Sequence, residues 1–366
     1  MKLLLGGDVM TGRGIDQILP HPGDPTLHEP WMRSALNYVA LAERVSGAIP
    51  RPQPFDYVWG EALAAIAPHA PDWRIVNLET SLTADGQPAA KGIHYRMHPT
   101  NVGCLAVAGI DCCVLANNHV ADWGPRGLTD TLDTLDAAGL AHAGAGRDAA
   151  EAMRPAVLAG TNRQRVLVFA AASPSAGVPQ HWAAGPAQAG VWLLPEDDPQ
   201  APAAFADAVA RWARPGDLVI ASLHWGPNWG YAIPEERRRF AEALVERAGV
   251  HVVHGHSSHH ALGIQVHRGQ PLLYGCGDLV NDYEGITGYQ AFRPELVLAY
   301  LLELDEHTQR LRSLQMLPFR LRRLRLERAS GEDLAWLCRR LDRECGRFGG
   351  QVEPTSTGTL VLRLPA

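Results

Sequence analysis

Short apolar runs alternate with longer stretches of helical periodicity along most of this chain, the signature of βα units. Lys2 to Leu5 reads as a first strand leading to Asp8, and Trp73 to Val76 as a second leading to Asn77-Leu78-Glu79. Asp111 to Leu115 is a third, followed by Asn117-Asn118-His119, and Arg165 to Ala170 is a fourth. Asp217 to Ser222 leads to His224-Trp225-Gly226, Val250 to Val253 leads to His256, and Pro271 to Tyr274 leads to Gly277-Asp278. Helical spacing covers Trp59 to Ala67, Gly127 to Ala138, Ala203 to Ala213 and Pro234 to Ala248. Gly139 and Gly249 supply stop signals for two of these helices. The pattern predicts an α/β fold. Residues 292–325 hold two further predicted strands, Gly331 to Arg343 a helix, and Gly358 to Leu364 a last strand. Residues 1–300 read as the main domain, with 301–366 packing onto it as C-terminal strands and a helix.

Residues 20–55 are rich in proline and poor in periodicity, which predicts an ordered insertion over the carboxyl ends of the strands. Arg320, Arg322, Arg323, Arg325 and Arg328 crowd one short segment and read as a solvated face rather than an anion contact. The chain has 366 residues, a formal net charge of −6 and 20% charged residues. That balance argues against a nucleic-acid partner, whose binding face would be basic. The start, Met1-Lys2-Leu3-Leu4-Leu5 and then Asp8, is too short and too soon polar for a secretory core. No stretch approaches the ~20 apolar residues of a membrane span. These features predict a cytoplasmic protein. The six cysteines show no C-x-x-C spacing, so neither disulfides nor a zinc–thiolate site is expected.

The chemistry concentrates where the strands end. His254, His256, His259 and His260 place four histidines within seven residues. Alone, such a cluster reads equally well as a polar loop facing water. But Asp8, Glu79, Asn118, His119, His224, His256 and His259 each follow a predicted strand, and open α/β sheets bind ligands outside the carboxyl ends of their strands. Carboxylate, amide oxygen and imidazole together suit Zn, Mn, Fe or Ca, with no thiolate needed. These residues predict one or two divalent ions, and a bridging carboxylate between two ligand groups suits two about 3.5–4 Å apart. Asp278 could orient a ligand imidazole, and His254 and His260 flank the ligands as supporting partners or proton carriers. Lys91, His94, Tyr95 and Arg96 form a polar-aromatic loop suited to gripping an anionic small molecule, peptide or polymer.

In order, the chain carries Gly7-Asp8-Val9-Met10, Asn77-Leu78-Glu79-Thr80 and Ala116-Asn117-Asn118-His119-x-x-Asp122-Trp123-Gly124, then His224-Trp225-Gly226 and Gly255-His256-x-x-His259. Over residues 1–300 that series resembles the CapA family, the capsule or poly-γ-glutamate synthesis proteins related to calcineurin-like metallophosphoesterases. The resemblance implies a four-layer α/β/β/α sandwich with a dimetal site at the strand ends. It implies Asp8 and Glu79 as carboxylate ligands, Glu79 near both ions, with Asn118 on the second ion and His224, His256 and His259 completing the set. It implies His119 as a general acid oriented by Asp122. Met10 stands where the wider phosphoesterase pattern has a ligand histidine, and Glu79 where it has aspartate.

Three functions are compatible with these residues. The favoured one is metal-dependent hydrolysis or transfer at a phosphoester or polymer linkage. The second is metal-dependent inversion of a peptide Cα, as in lasso-peptide epimerases that resemble this family, with Asp8 and a histidine of 254–260 as the acid–base pair. The third is a metal-stabilised assembly protein without turnover.

Overall fold

The structure, a computed structural model, describes residues 1–160 and 164–364. Pro365 and Ala366, the end of the C-terminal segment, lie outside the described residues. The fold is a mixed α/β arrangement on two large sheets. The first runs Gln351–Pro354, Leu360–Arg363, Leu311–Arg322, Leu296–Leu304, Lys2–Val9, Trp73–Leu78, Cys112–Val114 and Ala141–Ala143. Asp278–Val280 also pairs with Lys2–Val9, and Arg325–Arg328 with Leu311–Arg322. The C-terminal strands thus extend the same sheet that holds the first strand of the chain. The second sheet runs Ile264–His267, Gln270–Leu273, Val252–His256, Leu218–His224, Arg165–Ala172 and Ala156–Ala159.

Within each sheet the central strands are parallel, so their carboxyl ends share one edge. The two-residue alternation of a strand then decides what faces where. In the second sheet, Val168, Ile220 and Val252 join the apolar cluster shared with the first sheet. Phe169, Val219, Ala221 and Val253 point the other way, onto the buried faces of helices Ala201–Trp212 and Glu235–Ala248. Continuing the same alternation, Ser222, His224, His254 and His256 fall on the inner face, toward the first sheet. Helix Glu235–Ala248 carries Glu235 and Glu236 in its first turn and Arg247 in its last, and ends on Gly249 at φ 66°. Each of these choices favours the helix dipole or the left-handed cap.

All seven predicted strands of the αβ pattern are present, most of them longer than the apolar run alone suggested. Trp59 to Ala67, predicted as one helix, is broken: short 3-10 turns flank helix Ala62–Ile66. The cause is a close approach. Glu61 donates its N–H to the Leu326 carbonyl at 2.9 Å, and Gly60 packs so tightly there that a Cβ would lie 2.2 Å from the same oxygen. Residues 20–55, read as an ordered insertion of weak periodicity, contain helix Leu36–Ser46, which buries Tyr38, Val39 and Ala42. Arg320 and Arg322 lie exposed on one strand face and pair with Asp333 at 2.9 Å and Glu327 at 3.9 Å, so this basic segment is a solvated face. Among the described residues no helix is long and apolar enough to cross a membrane.

The first strand is held where Asp8 must sit by one contact. Asp8 donates its N–H to the Gly277 carbonyl at 3.0 Å, and a Cβ on Gly7 would lie only 1.7 Å from that oxygen. Two backbones meet with no room for a side chain. Gly7→Ala is therefore expected to cost about 3 kcal/mol or more, the scale of severe overpacking. A denaturant titration checks this, and an unchanged midpoint would contradict the close approach.

Candidate metal centre

The strand ends converge as their alternation requires. Parallel pairing sets Ser222 beside His254 and His224 beside His256 on the inner face of the second sheet. Ser222 Oγ lies 3.0 Å from both His254 Nδ1 and His256 Nε2, and His254 Nε2 lies 2.9 Å from the Gly6 carbonyl oxygen. These bonds fix His256 so that its Nδ1 faces the first sheet, 2.9 Å from His224 Nδ1 and 3.8 Å from Asp8 Oδ1. Asp8, His224 and His256 form one group whose potential ligand atoms lie within 4.8 Å of one another. Asp8, His259 and Asp278 form a second group by the same measure. Asp8 is common to both, and every member is buried.

Glu79 borders the first group, with Oε1 3.8 Å from His119 Nε2 and 4.0 Å from His224 Nε2. His119 Nδ1 is 2.6 Å from Asp122 Oδ2, which leaves Nε2 turned to the centre. The Asn118 side-chain oxygen and His224 Nε2 are buried without a hydrogen-bond partner. Buried polar atoms usually find a partner, and a bound cation would supply one to both. Around Asp8, Asn77 Nδ2 donates to Oδ1 at 2.8 Å and the Ser257 N–H to Oδ2 at 3.2 Å. Asn117 Oδ1 accepts from the N–H groups of His119 and Val120, shaping the turn that carries Asn118 and His119.

The electrostatics are those of a site short of positive charge. Burial, then the charge of Asp278, pushes the Asp8 carboxyl up to about 7. Burial, then Asp8 and Asp278, holds Glu79 well above the usual carboxylate range. Burial holds His224 and His256 well below the usual imidazole range, and brings His254 and His119 down to about 4, against the pull of Asp122 on His119. For His259 burial works downward, but Asp278, at 2.8 Å from Nδ1, raises it overall. Neutral imidazole is the ligating form, and a divalent cation would relieve the repulsion among the carboxylates. The donor set and the two partnerless atoms fit divalent metal.

The remaining sequence candidates have other ties. Asp278 stands in the second group itself and also accepts from Asn281 Nδ2 at 2.7 Å. Met10 is buried on that side, 3.7 Å from the Tyr283 hydroxyl. His260 Nε2 accepts from the Gly230 N–H at 3.1 Å, and burial brings it down to about 4. Lys91 is drawn inward, donating to Asp122 Oδ1 at 2.7 Å and to the Asn118 carbonyl. His94 Nε2 is 2.7 Å from the Ala89 carbonyl, and Arg96 lies 3.7 Å over the Trp123 ring while donating to the Asp24 carbonyl. Ser222, Asn77, Asn228 and Tyr283 were not among the sequence candidates. Asn228 Nδ2 and the Tyr283 hydroxyl lie 3.0 and 3.3 Å from His259 Nε2. Ser222 had a readable signal, two residues before His224 on the same strand face, and Asn77 stood in the motif that carries Glu79.

Fold and centre together define an α/β protein with a buried carboxylate–imidazole site where its sheets meet. The chain belongs to the family described as bacterial capsule synthesis protein PGA_cap, whose profile spans residues 2–283. It is 51% identical over 357 residues to a probable polyglutamine synthesis accessory protein of Mycobacterium tuberculosis, covering 96% of this chain and 93% of that one. It is 24% identical to the PGA biosynthesis protein CapA of Bacillus subtilis, over 81% of this chain and 66% of that protein. The capsule biosynthesis protein CapA of Bacillus anthracis is also 24% identical, over 77% and 60%.

His256→Ala and Asn118→Ala are expected to lower bound metal, measured by atomic emission on protein that still melts cooperatively. Full metal content in both would remove the assignment. Because Asp8 must lose its proton before an ion can bind, and Glu79 and His259 are likewise shifted toward their protonated forms, affinity is expected to fall at least tenfold per pH unit below about 7. Calorimetric titration between pH 5 and 8 checks the slope, and a flat profile would contradict it.

Proposed function

We propose that this protein is a divalent-metal-dependent enzyme acting in the synthesis of a glutamate- or glutamine-based polymer, hydrolysing or transferring at a phosphoester or polymer linkage. The observation that carries the reading is the pair of buried ligand groups sharing Asp8. The two sheets with helices on the outer face of the second support a four-layer α/β/β/α arrangement of the metallophosphoesterase type. Asp8, His224 and His256, with Glu79 and Asn118 beside them, would hold one ion, and Asp8, His259 and Asp278 the other. When bound, the ions (Mn, Zn, Fe or Ca) would supply Lewis-acid polarisation and more acidic water.

The chain's own groups do the rest. Asp122 accepts from His119 Nδ1 and holds the ring so that Nε2 faces Glu79 and the centre. Lys91 and the Tyr95 N–H, the latter at 2.7 Å, both donate to Asp122 and keep its carboxylate in place. A second proton on His119, at Nε2, is then the one available to a leaving group. Ser222 and His254 lock His256 from behind, which keeps water from displacing it. The six cysteines are all free thiols, which supports placing the protein in the reducing cytoplasm.

The epimerase reading has no observation of its own. Asp8 is held by Asn77 and the Ser257 N–H between the histidines, rather than opposite them across a substrate. The test is metal analysis with turnover of p-nitrophenyl mono- and diesters after Mn or Zn is restored. Two ions per chain with turnover is expected. His119→Ala should lower kcat by about 10²–10⁴ while metal content holds. Two ions without turnover of any linkage would favour the assembly role instead.

A further inference from the structure

A cavity of about 320 Å³ opens beside His259. Its inner end is formed by Asn228 and Tyr283, the two residues that touch His259 Nε2. Its walls are aromatic. Trp229 and Tyr289 stack at 4.1 Å between ring centres, and Trp31 and Tyr38 come from the insertion of residues 20–55. Trp31 is 66% exposed and Tyr289 40%, so these faces are open to a ligand.

The cavity has one charged lining residue, Arg13, and its charge is already spent. Arg13 Nε donates to Asp282 Oδ2 at 3.0 Å, Nη2 donates to Asp282 Oδ1, and Nη1 donates to Glu29 Oε1 at 3.1 Å. Tyr38 donates its hydroxyl to the other oxygen of Glu29, and its ring lies 3.8 Å under the guanidinium. One cation sits between two buried carboxylates, so the cluster carries formal negative charge. Lys91 and Arg96, the other cations of the nearby loop, are tied to Asp122 and Asp24. Along its walls, before it reaches the centre, a chain of carboxylates would lose water and meet no unpaired side-chain cation, a costly transfer. A chain of uncharged carboxamides would lay its flat amides on the aromatic faces and exchange hydrogen bonds with Asn228, Thr287 and Tyr283. That matches ordinary ligand pockets, which are mostly apolar with a few orienting polar groups.

We propose that this cavity binds an uncharged, carboxamide-bearing segment of polymer, of the glutamine type rather than the glutamate type, and feeds it to the centre at His259. The proposal rests on the polymer-synthesis reading above and names the side-chain chemistry it would accept. The test is calorimetric titration of the metal-loaded full chain, at low ionic strength, with end-capped hexamers of glutamine and of glutamate. The glutamine hexamer is expected to bind at least tenfold more tightly. Trp229→Ala should weaken it at least tenfold, and Trp229→Phe should restore most of the loss. Thr287→Arg, at an exposed rim position, should add an unpaired cation and strengthen glutamate binding several-fold. Equal or tighter binding of the glutamate hexamer by the parent protein would overturn the proposal. So would failure of both hexamers to bind a chain that loads metal, which would leave the metal centre standing. Selective glutamine binding by a chain that takes up no metal would uphold the cavity and sink the metal reading.

Discussion

The buried carboxylate of Asp8 is the constraint on which the rest of the site depends. It lies at the end of the first strand, fully enclosed, and belongs to both ligand groups. Burying it beside Glu79 and Asp278 is unfavourable in the absence of a cation, and its raised pKa is the measure of that. The fold accepts the cost because other contacts leave the chain no alternative. Gly7 lets the strand pass against Gly277, and Asn77 and the Ser257 N–H grip the carboxylate from two sides. Such local conflict, paid by surrounding structure, is where function is expected to reside.

The second sheet supplies the neutral half of the site by periodicity alone. Once Ile220 and Val252 face inward, Ser222, His224, His254 and His256 must follow. Four polar side chains then lie between two sheets, where they can be tolerated only if they satisfy one another or a ligand. Ser222 satisfies two of the histidines, while His224 Nε2 and the Asn118 oxygen are left over. The leftover atoms and the crowded carboxylates are the two sides of one charge deficit.

Much of this was legible in the residues. Strand ends in Asp8, Glu79, Asn118 and His224 could be read because apolar runs stop abruptly at polar groups, and the histidine cluster was legible as composition. The role of Asp278 was less so, since sequence offers no way to see that its strand returns beside Lys2–Val9 and lays it next to Asp8. The anion-gripping role expected of Lys91 and Arg96 was read from charge. Pairing with Asp122 and Asp24 decides what that charge is used for, and pairing is a long-range property. Helix Leu36–Ser46 was hidden because it buries only three residues, with Val39 and Ala42 in the main core and Tyr38 in a small satellite cluster, too few for a clear apolar stripe. Trp229 and Tyr289, sixty residues apart in sequence, gave no sign that they would stack.

The most direct test is X-ray diffraction from crystals grown with Mn, recorded at its absorption edge. The account predicts two anomalous peaks about 3.5–4 Å apart with Asp8 between them. One should lie against His224 and His256, the other against His259 and Asp278. Absence of both peaks, or ions bound away from Asp8, would contradict it.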